Sequence, residues 1–212
     1  MTTDTSPQLY PVRFSVDYPD RPLNRLTSAF RIFVAIPILV VLEAVSGGHF
    51  TPSRGGQAVV YGGGGVLFLG PLLMILFRQK YPRWWFDWNL ELQRLSNRVV
   101  VFLALMTDQY PSTDEEQSVH LDYEYPDASR DLNRWLPLVK WFLAIPHFVV
   151  LFFLTVASAM AVVIAWFAIL FTGRYPRGLF HFVEGVMRWG QRVIAYAFLL
   201  VTDTYPPFSL DA

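Results

Sequence analysis

The sequence contains no cysteine and few charged residues: 16% of its 212 residues are charged, and the formal net charge is zero. The absence of cysteine excludes disulfides, thiolate catalysis and the common structural zinc sites. A neutral chain also lacks the positive charge that is typical of nucleic-acid binding. The four histidines lack metal-binding spacing, so we predict neither a metal site nor a cofactor.

The sequence also lacks the patterns that indicate an enzyme. No Ser/His/Asp set has a signature, and the carboxylates flank Tyr-Pro turns instead of pairing in apolar surroundings. The run Gly62–Gly65 lacks the Lys-Ser/Thr ending of a phosphate loop. We therefore predict a protein that is not an enzyme.

Apolar and aromatic side chains are abundant instead. Hydrophobic residues make up 53% of the chain and aromatic residues 17%. The hydrophobic share exceeds that of an ordinary soluble domain, and Tyr and Trp favour the headgroup level of a bilayer. The composition predicts an integral membrane protein in contact with membrane lipids.

Ordered sequence blocks occur twice along the chain, which indicates an internal repeat. The pairs are Val12–Asp20 with Val119–Asp127, Phe33–Pro37 with Phe142–Pro146, Tyr81–Arg83 with Tyr175–Arg177, and Thr107–Pro111 with Thr202–Pro206. We predict a disordered N-terminus at 1–8, a first repeat at 9–112, an acidic linker at 113–118 and a second repeat at 119–212.

The chain resembles a family of bacterial membrane proteins catalogued as domain of unknown function 4389. The resemblance rests on segments 169–177, 188–196 and 202–208, and it extends over nearly the whole chain as two tandem copies. The first copy departs from the pattern, because it has Trp84–Trp85 where the second copy has Gly178–Leu179. The resemblance implies a bacterial inner-membrane protein and carries no activity.

Each repeat is predicted to contain a short strand, a two-helix transmembrane hairpin and an amphipathic helix, so the fold class is mainly α. Alternating apolar residues at 12–16 and 119–123 indicate strands. We expect these strands to pair with each other and to rest on helices or on a partner, because a lone ribbon is marginal in water. The first apolar helix, at about 26–45 or 136–155, carries Pro37 or Pro146, which is expected to kink it.

The second helix of each hairpin is marked differently in the two repeats. In the first repeat a Gly-rich stretch at 46–65 leads into a helix at about 59–77. In the second repeat the apolar run 142–171 is too long for one ordinary span. We interpret it as a tight hairpin that turns near 157–159, with a single long helix as the alternative.

The third helix of each repeat follows Pro82 or Pro176 and is amphipathic. If it spans the membrane, the second repeat is inverted. If it lies in the interface, the basic residues gather on one side, which satisfies the positive-inside rule better. We favour the second arrangement, a multi-pass protein with four spans and both termini in the cytoplasm.

Seven of the ten tyrosines precede a proline, which indicates a positional role. Tyr and Trp rings anchor membrane proteins among the headgroups, and the alternative is an aromatic lattice that binds a ligand. The predicted interfacial anchors are Tyr18, Tyr81, Tyr110, Tyr125, Tyr175, Tyr205, Trp84, Trp85 and Trp88.

Two arginine pairs lie one helical turn apart on the third helices: Arg94 with Arg98, and Arg188 with Arg192. The guanidinium fork suits lipid phosphates, so these four arginines are the predicted headgroup-binding residues. The alternatives are snorkelling to water or internal ion pairs with the aspartates of the two Thr-Asp motifs.

Other polar residues have simpler interpretations. Asp20, Asn24 and Arg25, with their counterparts Asp127, Asn133 and Arg134, are predicted to form turns and helix caps, and a polar site before the first span is the alternative. His147 and Glu43 are ionisable groups near membrane depth, and we assign neither a proton relay.

The functional prediction is a non-enzymatic accessory or scaffold subunit that packs in a homo-oligomeric or hetero-oligomeric membrane complex. The alternative is a lipid-binding protein, or a lipid or ion transporter, that uses the interfacial arginines. An enzyme acting on lipids ranks last.

Overall fold

The computed structural model describes residues 10–45, 64–113 and 115–211. The chain is mainly helical, with one small sheet. Its elements are β1 (Val12–Val16), α1 (Arg25–Ala29), α2 (Arg31–Val45), α3 (Gly64–Arg78), α4 (Arg83–Leu103), β2 (Val119–Tyr123), α5 (Leu136–Thr172) and α6 (Arg177–Ile194), and a π-helical turn (Ala195–Leu199) continues α6. The predicted disordered segment 1–8 and most of the Gly-rich stretch 46–65 lie outside the described residues.

The two strands pair with each other, as predicted. β1 and β2 form an antiparallel ribbon in which Val12 faces Tyr123 and Val16 faces Val119. Along both strands, buried residues alternate with exposed ones. Period-two alternation therefore identified both the elements and their buried face.

The amphipathic helices α4 and α6 support this ribbon. α4 packs against β2 and α6 packs against β1. The apolar faces of both helices are buried, including Phe86 and Leu90 on α4 and Phe180 and Val183 on α6. The prediction that the ribbon packs against helices is thus confirmed. Each amphipathic helix buries its apolar face inside the protein.

The first apolar helix begins where predicted but is divided in two. Asn24 caps α1, because its side chain accepts hydrogen bonds from the amides of Leu26 and Thr27. α1 then ends at Phe30, whose φ of −106° departs from helical geometry, and α2 continues with Pro37 in its interior. The capping interpretation of Asn24 is therefore confirmed.

The predicted hairpin in the second repeat is wrong. α5 is one continuous helix of 37 residues, and the proposed turn at 157–159 lies inside it. The helix contains no glycine, and its one internal proline is Pro146. Its other residues suit a helix in apolar surroundings. The helix therefore continues to Gly173, whose φ of +74° ends it. The four-span arrangement no longer holds, because it required two spans here.

α3 corresponds to the predicted second helix of the first repeat. The predicted start, 59–63, lies outside the described residues, and the helix runs from Gly64 to Arg78 with Pro71 in its interior. The two predicted repeats therefore differ: α2 and α3 in the first correspond in sequence to the single helix α5 in the second.

A large apolar surface points away from the protein. Exposed apolar side chains include Ile32, Phe33 and Val40 on α2 and Phe142, Phe152, Phe153, Met160 and Phe171 on α5. We call these residues the exposed apolar surface. Within the described ranges, α5 is the one helix long and apolar enough to cross a membrane. Its length of about 55 Å exceeds a hydrocarbon core of about 30 Å.

Candidate functional site

A buried cation joins the first apolar helix to the Thr-Asp motif in each repeat. In the first repeat, the guanidinium of Arg31 donates to the carbonyl oxygen of Thr107 at 2.8 Å and pairs with the Asp108 carboxylate at 2.6 Å. The Arg31 guanidinium also lies over the Phe102 ring, 4.2 Å from its centroid. We call this set the first clamp.

The second clamp has the same construction with a different cation. The Lys140 ammonium donates to the carbonyl oxygen of Thr202 at 2.7 Å and pairs with the Asp203 carboxylate at 2.7 Å. It lies 5.0 Å from the centroid of the Tyr196 ring. The Lys140 side chain is fully buried, so it depends on these partners for its charge to be tolerated.

Each clamp aspartate also holds the start of its own repeat's first apolar segment. Asp108 accepts a hydrogen bond from the Asn24 amide, and Asp203 accepts one from the Asn133 amide, both at 2.6 Å. The clamps were missed at the sequence level. The sequence does contain a signal for them, which is a basic residue at the same position in both halves. Arg31 and Lys140 each stand two residues before the repeated block that ends in Pro37 or Pro146.

The predicted headgroup arginines on α4 and α6 reach the ribbon. The Nε of Arg94 donates to the carbonyl oxygen of Leu121 at 3.0 Å, and the Nε of Arg188 donates to that of Phe14 at 2.9 Å. An arginine from one repeat thus holds the strand of the other. Arg188 also pairs with Glu184 at 2.6 Å.

The second arginine of each pair holds a loop. Arg98 donates to the carbonyl oxygen of Ser112 at 2.6 Å. Arg192 donates to the carbonyl oxygens of Ser209 and Asp211 and is 3% exposed. Capture of lipid phosphate by the four arginines stays a prediction, and for buried Arg192 it is opposed by this burial.

The alternative assignment of the arginine pairs to the Thr-Asp motifs is wrong. Asp108 pairs with Arg31, and Asp203 pairs with Lys140. The α4 and α6 arginines point to the ribbon and loops instead, because the helices that carry them pack against the strands.

The Tyr-Pro tyrosines form two groups with different surroundings. The hydroxyls of Tyr18 and Tyr125 donate to the carbonyl oxygens of Tyr175 and Tyr81 in the opposite repeat. Tyr81 and Tyr175 are 4% and 1% exposed, so they are core residues and not the predicted surface anchors. Burial raises the pKa of Tyr81, whose hydroxyl stays protonated and donates to the carbonyl oxygen of Leu199 at 2.7 Å.

The other predicted anchors lie nearer the surface. Tyr110, Tyr125, Tyr205, Trp84 and Trp88 are exposed, whereas Tyr18 and Trp85 are half-buried. An anchoring role among headgroups stays a prediction for these residues.

His147 is enclosed by aromatic rings. It is fully buried, stacks on Phe208 with centroids 4.0 Å apart, and its Nδ1 accepts a hydrogen bond from the Trp189 indole at 3.1 Å. Glu43 is half-buried near the end of α2. Neither residue is part of a group of three or more possible metal ligands, and no such group occurs among the described residues.

Two clefts open where the Tyr-Pro loops of opposite repeats meet. One lies between Tyr18–Leu23 and Arg174–Arg177 and has a volume of about 300 Å³. The other lies between Gln79–Pro82 and Tyr125–Asp131 and has a volume of about 690 Å³. They are built from corresponding blocks, since Tyr18 corresponds to Tyr125 and Tyr175 to Tyr81.

These features describe a mainly helical chain with one candidate membrane helix and an internal ribbon. A protein-family model described as Domain of unknown function (DUF4389) matches residues 135–209. The match includes α5, α6 and the second clamp's cation and carboxylate, and the first half of the chain lies outside it. None of the curated proteins and none of the solved structures compared matches this chain.

Proposed function

We propose that this chain is a non-enzymatic integral membrane protein of the bacterial inner membrane that acts as a scaffold or accessory subunit in an oligomeric complex. The observation that carries the proposal is the exposed apolar surface on α2 and α5. Only 17% of the most apolar 18-residue stretch of α5 is buried, and soluble proteins rarely leave such an apolar surface uncovered. Lipid and the helices of neighbouring subunits are the two coverings that suit it.

We propose further that the chain is a tandem repeat with a pseudo-twofold axis. Supporting this, Asn97 and Gln191 occupy corresponding positions and hydrogen-bond to each other at 2.9 Å. Contact between corresponding residues is expected where a twofold axis passes. The reciprocal contacts of Arg94 with β2 and of Arg188 with β1 support the same symmetry.

Both termini are proposed to face the cytoplasm. Support comes from Arg192, which lies 5.8 Å from the centroid of the Tyr10 ring and donates to the carbonyl oxygen of Asp211. The first and last described residues are therefore neighbours. Reporter fusions at both ends should become active on the same side, and activity on opposite sides would contradict this proposal.

Membrane insertion is tested by fractionation. The full chain should remain in the membrane pellet after an alkaline carbonate wash. Phe152→Lys plus Met160→Lys should abolish stable insertion, because charges within the apolar phase are costly. Phe152→Leu plus Met160→Leu is the matched control and should behave like the parent chain. A parent chain that purifies as a stable monomer without detergent would refute insertion.

Assembly is tested by native mass spectrometry of the detergent-extracted chain. A defined stoichiometry, with itself or with a second protein, supports the scaffold role. A chain that is monomeric at every concentration and detergent tested, without a copurifying protein, would refute it.

A further inference from the structure

The cleft between Tyr18–Leu23 and Arg174–Arg177, which we call the basic cleft, carries an excess of positive charge. Three arginines line it, Arg21, Arg174 and Arg177, against one carboxylate, that of Asp20. All three arginines are exposed. Their guanidinium groups form no ion pair with a carboxylate of the described residues, although several other arginines do.

One of the three arginines is already held in place. The Arg177 guanidinium lies over the Tyr18 ring, 5.1 Å from its centroid, and the Tyr18 hydroxyl is fixed by its hydrogen bond to the Tyr175 carbonyl oxygen. A stacked guanidinium keeps its donor edge free for an anion, and a planar fork matches phosphate oxygens. The cleft therefore presents a partly ordered set of donors.

The basic cleft stands directly at the end of the long apolar helix. α5 ends at Gly173, whose carbonyl oxygen accepts a hydrogen bond from the Leu23 amide at 2.8 Å. Just before this end, Phe171 is 78% exposed, and Leu26, which follows the cleft loop, is 71% exposed. The Arg25 guanidinium donates to the Phe171 carbonyl oxygen, so the cleft loop and the exposed apolar end of α5 are neighbours. A phospholipid has the same combination of a charged headgroup and apolar acyl chains.

The corresponding cleft in the other half is less positive along its lining. Lys80 stands where the basic cleft has Arg174, but Asp127 and Asp131 also line this cleft. Arg83 lies over the Tyr125 ring as Arg177 lies over that of Tyr18, and Arg130 is 3.8 Å from the Asp127 carboxylate, so part of the nearby positive charge is already paired. Hydrogen bonds from Ser129 lower the pKa of Asp127, which keeps its charge negative. Asp131 accepts a hydrogen bond from the Asp127 amide at 2.8 Å, which fixes both acids in the loop. The two clefts share a construction and differ in charge.

We propose that the basic cleft binds the phosphate group of an anionic phospholipid, and that the corresponding cleft does not. The ligand chemistry is a phosphate ester whose oxygens accept from Arg21, Arg174 and Arg177, while its acyl chains lie against Phe171 and Leu26. The four arginines of α4 and α6 are separate from this site, because they bind carbonyl groups of the chain. The inference rests on the proposed membrane insertion of α5.

The test compares two double variants of the full chain, purified in detergent. Arg21→Gln plus Arg174→Gln removes two charges from the basic cleft and leaves the Arg177 stack in place. Lys80→Gln plus Arg130→Gln removes the same charge beside the other cleft, where Arg130 is 85% exposed. Each protein is incubated with an equal mixture of phosphatidylglycerol and phosphatidylcholine, and retained lipid is measured by mass spectrometry.

The basic-cleft variant should retain about 25-fold less phosphatidylglycerol, since each of the two basic side chains it loses contributes about a fivefold factor near an anionic surface. The control variant should stay within about twofold of the parent. Equal losses in both variants, or no loss in the first, would overturn the proposal. Arg21→Glu alone provides a second test if the double variant unfolds, and it should also lower retention.

Two further arms separate the possible sources of failure. Inorganic phosphate in excess should leave phosphatidylglycerol bound, and displacement by phosphate would assign the cleft to the free ion and overturn the lipid assignment. Both variants should remain in the membrane fraction before extraction. A chain that never enters membranes would refute the proposed insertion, whereas membrane-bound variants with unchanged lipid refute the cleft alone.

Discussion

The two clamps solve the same problem with different cations. The Arg31 guanidinium donates to the Thr107 carbonyl oxygen, pairs with the Asp108 carboxylate and lies over the Phe102 ring. Lys140 has the corresponding three contacts, with the Thr202 carbonyl oxygen, the Asp203 carboxylate and the Tyr196 ring. The two sites differ in the carboxylate, since the Asp203 side chain is 19% exposed and the Asp108 side chain is 32% exposed. Corresponding positions in the two halves of the chain can thus differ in how much a single deletion costs.

The largest expected effect comes from removing the second clamp's carboxylate. Asp203→Ala leaves the fully buried Lys140 ammonium without a counter-charge and should cost about 3 to 5 kcal/mol of unfolding free energy. Asp108→Ala should cost about 2 kcal/mol, because the Asp108 carboxylate is 32% exposed and its ion pair is partly screened by water. Thermal and denaturant unfolding in one detergent measures both.

Lys140→Met combined with Asp203→Ala is the control for this comparison. It removes both charges and should recover most of the stability lost in Asp203→Ala. Equal losses for Asp108→Ala and Asp203→Ala would show that the two clamps are energetically alike, contrary to the difference inferred here.

The continuity of α5 gives the next effect. Ala159 is exposed within this helix, so Ala159→Pro acts through the backbone and should cost about 3 kcal/mol. Ala159→Leu at the same site should be nearly neutral, since it keeps the helix and faces the apolar phase. If the proline variant were as stable as the leucine variant, the result would favour the turn at 157–159 that the sequence predicts.

A smaller difference is expected between the two arginines that hold the ribbon. Arg188 binds two carbonyl oxygens and Glu184, and its side chain is 15% exposed. Arg94 binds one carbonyl oxygen and Glu91 and lies 3.7 Å from the Asp122 carboxylate, but its side chain is 32% exposed and its ion pairs are screened by water. Arg188→Ala should cost about 2.5 kcal/mol and Arg94→Ala about 1 kcal/mol, measured by unfolding. The reverse order would contradict the burial argument.

The smallest effects should be equal in the two halves. Tyr18→Phe and Tyr125→Phe each remove one hydroxyl that donates to a carbonyl oxygen of the opposite repeat. Each substitution should cost about 1 kcal/mol. Tyr110→Phe serves as a control at an exposed Tyr-Pro position and should be neutral. If the two substitutions differed in unfolding free energy by more than the experimental scatter of the Tyr110→Phe control, the two hydrogen bonds would not be equivalent.

Local patterns predicted the small elements well. The alternation at 12–16 and 119–123 identified both strands and their pairing, and Asn24 was correctly interpreted as a helix cap. These features depend on neighbours in sequence or on a single buried face, so the signal is complete within a short window.

Length and tertiary partners limited the remaining predictions. The rule of about 20 residues per span favoured a hairpin in the run 142–171. However, the sequence near 157–159 contains no glycine or proline that would end a helix there. The carbonyl partners of Arg94 and Arg188 lie on strands of the opposite repeat, 27 and 174 residues away in sequence. No local pattern could show them, and the clefts likewise form only when the two repeats meet.

The spacing of the two strands has a consequence for biogenesis. Val16 pairs with Val119, so about 100 residues must be translated before β1 can find its partner. At about 5 to 20 residues per second, the ribosome needs about 5 to 20 s for this. During that interval β1 presents an unpaired edge, and a neighbouring nascent chain that has already finished β2 is able to occupy it. Dimers that exchange their first strands are therefore the assembly error to look for when this protein is overproduced.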